Sequence, residues 1–167
     1  MDDQNELLIT REFNASREKL WNAWTNPEEV MKWWGPENFT CPSAKIDLRV
    51  GGKYIYCMHG PAGTEFDKDM YSAGNYLEIL PMEKLVIEDY FSDKDGNFME
   101  PKEAGMKDDM PPKMTAYIAF EDAGMGKSKL IIEYDKPESG KQFEAMLNSG
   151  MKEGWASSLD KLAKVIE

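Results

Sequence analysis

Histidine is almost missing from these 167 residues, with His59 standing alone, and cysteine is limited to Cys41 and Cys57. That scarcity argues against a histidine-rich metal centre. Two cysteines with fifteen residues between them make no zinc knuckle, although a single disulfide stays open. A chain of this length buries about 70% of its unfolded surface, so it needs neither disulfides nor a structural metal to fold. Long apolar runs are also missing. Leu85-Val86-Ile87 and Leu130-Ile131-Ile132 fall far short of the roughly 20 apolar residues that span a bilayer. The start, MDDQNE, has no basic segment followed by an apolar one, so a secretory leader is not expected. Basic charge is in deficit, 20 Lys+Arg against 31 Asp+Glu, and the net charge of -11 repels phosphate backbones and anionic lipid. Nucleic acid and membrane insertion are therefore not expected. The expected setting is the cytoplasm, with both thiols reduced.

Motifs of common catalysts are lacking as well. There is no P-loop, no G-x-S-x-G elbow and no H-E-x-x-H helix. His59, beside Gly60-Pro61, is expected at a surface turn and not as a general base. Glu78, Glu88 and Asp89 fall in strand-like segments. One of them pointing inward would have a raised pKa suited to acid–base work, but half-buried strands place polar residues outside by default. The expectation is a solvent-facing or salt-bridged role for these carboxylates, with no catalytic residue, no cofactor and no metal.

Aromatic residues are what the chain has in excess. "LWNAWTNPEEVMKWWGP", residues 20 to 36, holds four of the five tryptophans. Trp21 and Trp24 are three apart on a short helix and read as core. Trp33 and Trp34 are adjacent and cannot face the same way, so one of them should line a mouth or stay exposed.

The coarse pattern is helix-poor in the middle and helical at the ends. Leu7 to Phe13 reads as a strand, Ser16 offers an N-cap for a helix over Arg17 to Trp24, and Pro27 opens a second helix that runs to Gly35-Pro36. From Lys45 the period falls to two. "KIDLRV", "KYIYCMH", "YSAGNYLEIL", "EKLVIEDYF", "KMTAYIAFED" and "KSKLIIEYD" read as strands, with Tyr54, Tyr56 and Met58 on one face and Ile55 and Cys57 on the other. Residues 92 to 112 lack any period and read as a long loop.

From 139 to 166 the period becomes 3.6: Phe143, Met146, Leu147, Met151, Trp155, Leu159, Leu162 and Ile166 make an apolar stripe. This predicts one long helix laid across an antiparallel sheet, an α+β fold. Gly150 and Gly154 would sit inside that helix, each costing about 1 kcal/mol against alanine. Either they admit close approach to the sheet or they leave room for a ligand.

"REFNASREKLWNAWTNPEEVMKWWGP", "DLRVGGKYIYCM", "GNYLEILPMEKLV" and "GMKEGWASSLDKLAKVI", in this order, resemble the family similar to the activator of the ninety-kilodalton heat-shock chaperone ATPase. The resemblance runs from about Leu8 to the C-terminus. It implies the helix-grip fold of the START-like (SRPBCC) superfamily: one domain over 1–167, two short helices after the first strand, and a curved antiparallel sheet wrapped around the C-terminal helix and an apolar cavity. In the chaperone activator such a module is joined to a further N-terminal domain, for which 167 residues leave no room.

The resulting expectation is a protein that binds a small hydrophobic or aromatic molecule noncovalently. Cavity candidates are Trp33, Trp34, Phe39, Tyr54, Tyr76, Tyr90, Tyr117, Met151, Gly154 and Trp155, an apolar wall with a few hydroxyls. The alternatives are a protein-interaction module acting on a chaperone or other partner, and a lyase, cyclase or hydrolase using a cavity carboxylate.

Overall fold

The computed structural model describes residues 7–106 and 109–167. The acidic MDDQNE start and positions 107 and 108 of the long loop lie outside them. Strand β1 (Leu8–Phe13) is followed by helices α1 (Arg17–Thr25) and α2 (Pro27–Val30), then by β2 (Ala44–Ile46), β3 (Lys53–His59), β4 (Asp69–Leu80), β5 (Lys84–Ser92), β6 (Met114–Gly124) and β7 (Lys127–Tyr134), and finally by α3 (Gly140–Asn148) and α4 (Met151–Ile166). The strands form a single antiparallel sheet in the order β1-β7-β6-β5-β4-β3-β2. β2 to β7 are successive neighbours, as short connections favour, while β1 returns to the far edge and pairs with β7.

Local chemistry explains the first helices. Ser16 Oγ accepts a hydrogen bond from the Lys19 amide, and the Asn26 side chain accepts one from the Glu28 amide ahead of Pro27. Both satisfy donors that a helix start leaves without partners. α2 is shorter than its sequence suggests. After Val30 the amides of Lys32 and Trp33 bond three residues back, and the chain turns at Gly35, whose φ is +95°.

The C-terminal segment corrects the expectation of one unbroken helix over 139 to 166. Gly150, at φ +80°, adopts the left-handed conformation and separates α3 from α4. Glycine takes this conformation at little cost, whereas a side chain meets its own carbonyl there. Gly150 is thus the cap of α4 and not an interior position.

Residues paired in register share a face of the sheet. The helix-facing side carries Phe120, Ile118 and Ala116 on β6 and Leu130, Ile132 and Tyr134 on β7. Against them pack Leu20, Ala23 and Trp24 of α1, Met146 of α3 and Leu159, Leu162 and Ile166 of α4. Each large side chain buried in this way contributes about 1.5–3 kcal/mol. The opposite face is partly covered by the loop after β5. Asp93 caps the amides of Asp95 and Asn97, Lys53 Nζ donates to the Gly96 carbonyl, and Gly96 sits against Ile55.

Candidate functional site

The helix-facing side of β3, β4 and β5 carries the aromatic concentration. Tyr54 and Tyr56 lie with ring centroids 4.7 Å apart, and Tyr76 packs 5.5 Å from Tyr54. Above them Trp34 meets Tyr56 at 4.6 Å, and Trp155 meets Trp34 edge-on at 5.5 Å. Trp155 is itself held by stacking on Trp24 at 5.7 Å and by donating its Nε1–H to the Tyr134 hydroxyl at 3.0 Å.

One carboxyl enters this aromatic field. The register row Tyr54–Gly74–Asp89–Met114 crosses four strands on one face. Gly74 has no side chain, so Tyr54 extends over it and donates its hydroxyl to Asp89 Oδ1 at 3.3 Å. A Cβ at Gly74 would stand 2.4 Å from that hydroxyl and 2.5 Å from the Glu88 carbonyl. Burial raises the Asp89 pKa to about 7, against the lowering effect of the Tyr54 hydroxyl and the Tyr90 amide. The phenols of Tyr54, Tyr56, Tyr76 and Tyr134 are all pushed upward, first by burial, and remain neutral donors. Such a carboxyl can exchange a proton or hold a charge near neutral pH.

Trp34, Tyr54, Tyr76 and Trp155 are brought together here. Trp33 lies behind them, fully buried, its indole N–H donated to the Ala23 carbonyl and its ring against Trp24. Met151 and Gly154 sit half-buried at the start of α4, and a Cβ on Gly154 meets nothing within 4 Å. Close approach to the sheet therefore does not explain that glycine. Phe39 packs on Phe66 and is not part of the tyrosine cluster.

Tyr90 and Tyr117 require correction as cavity residues, because both stand on the opposite face. Tyr90 pairs in register with Ala73, bonds Asn75 and packs on Phe98, while Tyr117 pairs with Glu133 and bonds Asp135. Glu78 and Glu88 meet Lys84 and Lys113 as strand carboxylates of the expected kind. Asp89 departs from that default. Its parity with Leu85 and Ile87 puts it on one face with them without saying which face meets the helices, and Tyr56 and Tyr134 share parity with Tyr54 and Ile132.

Two open grooves border the helices. One, of about 510 Å³, lies between Pro112, Met114, Lys136, Gln142 and Met146; the other, of about 420 Å³, lies among Arg11, Asp160, Lys161 and Lys164. The first reaches Met114, the register partner of Asp89. Lys161 near the second is committed to the carbonyls of Gly35 and Phe39, tying α4 to the turn after α2. Neither cysteine is activated: burial pushes the Cys41 thiol up to about 11 and raises Cys57 as well. Among the described residues no cluster of His, Cys, Asp or Glu has a metal-holding arrangement, and no helix is long and apolar enough to cross a membrane.

A seven-stranded antiparallel sheet closed on one face by C-terminal helices is the helix-grip architecture of START-like proteins. Residues 14–167 match the family described as "Activator of Hsp90 ATPase homolog 1-like protein", and the chain belongs to that family. No protein with a curated description matches. Among solved structures, a Chromobacterium violaceum protein is 26% identical, with 96% of each chain covered and a TM-score of 0.69. An Arthrobacter aurescens protein is 24% identical over 97% of this chain and 87% of its own, with a TM-score of 0.74. The AHSA1 protein of Silicibacter pomeroyi is 21% identical over 95% and 94%, with a TM-score of 0.67.

Proposed function

We propose that the helix-facing side of the sheet binds a small apolar or aromatic molecule noncovalently, between the Tyr54–Tyr76 wall and the Trp34–Trp155 pair, with access from the groove beside Met114. The observation that carries this reading is the Tyr54–Asp89 hydrogen bond set among aromatic rings. Small-molecule sites combine apolar walls with a few convergent polar groups in this way. Native mass spectrometry of protein purified from its own source tests it. A retained small molecule supports the site, and a retained protein partner with no small molecule supports an interaction module instead.

Asp89, with a pKa near neutrality, favours one second reading: acid–base catalysis on the bound molecule. Once a bound molecule is identified, Asp89→Asn separates the two. Binding that persists while turnover is lost assigns catalysis, and an unchanged molecule after prolonged incubation with wild type assigns carriage.

A further inference from the structure

We infer that the ligand of this site carries an organic cation, an ammonium or equivalent positive centre on an apolar body, with Asp89 as its counter-ion. The inference rests on the ligand site proposed above and names its chemistry.

Asp89 is bordered by Tyr54 and Tyr56 from β3, Gly74 from β4, Met114 from β6 and Tyr134 from β7, with Tyr76 packed on Tyr54 and Trp155 bonded to Tyr134. None is a base. Among the described residues, no lysine or arginine forms an ion pair with Asp89. The nearest lysines along the strand are directed elsewhere, Lys84 to Glu78 and Lys113 to Glu88 and to the outer-face rings of Tyr90 and Phe98. A carboxylate drawn partly out of water without a cation is costly, and among the described residues the half-buried Asp89 is met by the Tyr54 hydroxyl and the Tyr90 amide.

The remaining walls are rings. Indole and phenol faces carry negative quadrupoles that attract cations, most strongly where water is excluded. A neutral ligand leaves the carboxyl protonated or uncompensated. A cationic centre pairs with the carboxylate and uses the rings at once. The net charge of -11 adds a long-range attraction for cations.

The test uses the intact protein with phenyltrimethylammonium and its neutral carbon isostere, tert-butylbenzene, titrated by indole fluorescence at several pH values. At pH 8 the cation is expected to saturate at a concentration about tenfold lower than the isostere. That preference should shrink by about tenfold per unit as pH falls below the carboxyl's midpoint, because the quaternary probe has no proton of its own. Asp89→Asn should bind both probes alike. Should Asp89→Asn fail to fold, the pH series on wild type decides. Equal affinities, a preference independent of pH, or a preference surviving in Asp89→Asn overturns the inference. If the isostere alone saturates, the cation is refuted and the ligand site stands; if neither probe saturates, both are refuted.

Discussion

Tyr54 reaches Asp89 by lying across Gly74, so a hydrogen bond between two strands depends on the missing side chain of the strand between them. Gly74 thus serves a side-chain contact and not a turn. Gly74→Ala would set a methyl against both the Tyr54 hydroxyl and the Glu88 carbonyl. We expect a loss of about 1–3 kcal/mol, the usual range for overpacking, in chemical denaturation. Tyr54→Phe in the same background should recover little of it, because the ring carbon Cζ, 2.5 Å from the added methyl, remains.

Asp89 gives stability a dependence on pH. Its folded pKa of about 7 lies above the ordinary carboxylate value of 3.8, so between those values the folded state binds the proton that the unfolded state has released. Stability contributed by this group therefore falls as pH rises through that window, by about 1.4 kcal/mol per unit at most, and levels off above it. Asp89→Asn should flatten the profile and unfold at a higher denaturant concentration than wild type at pH 8. A wild-type profile already flat between pH 5 and 7 would contradict the assignment.

Gly150 and Gly154 should respond in opposite directions. Gly154→Ala enters open space and gains helix propensity of up to about 1 kcal/mol. Gly150→Ala must hold φ +80° and should lose about 1–2 kcal/mol. Gly154→Leu should also fold, and a weakened affinity for an aromatic probe in that variant would place the ligand beside α4. Denaturation midpoints and probe titrations read both effects.

His59 closes a pair of ionic contacts at the end of β3, to Asp69 at 2.7 Å and Asp67 at 2.9 Å. The hydrogen bond to Asp69, then that to Asp67, raises its pKa above the ordinary 6.5. The stabilisation is fully present below 6.5 and is lost as pH rises through the elevated value. Imidazole proton shifts should titrate above 6.5 in wild type and move back toward it in Asp69→Asn.

The strands were legible from alternation, the first helices from Ser16 and Pro27, and the layering from a 3.6-residue stripe following a run of period-two segments. These signals are local, because backbone geometry and capping act within a few residues. Alternation also requires Asp89 and Tyr90 to face opposite ways, but it does not say which one points toward the helices. That choice was made at long range. The helices cover the face that carries Ile118, Leu130 and Ile132, and the loop around Gly96 and Phe98 takes Tyr90 on the other side. The break between α3 and α4 has the same origin. The apolar stripe runs through 139 to 166, and only the turn at Gly150 separates Met146 of α3 from Leu159 of α4, both buried in one core. The sequence alone determined the periods and most of the elements, while tertiary packing decided where the last helix breaks and which faces meet, and therefore brought Asp89 among the tyrosines.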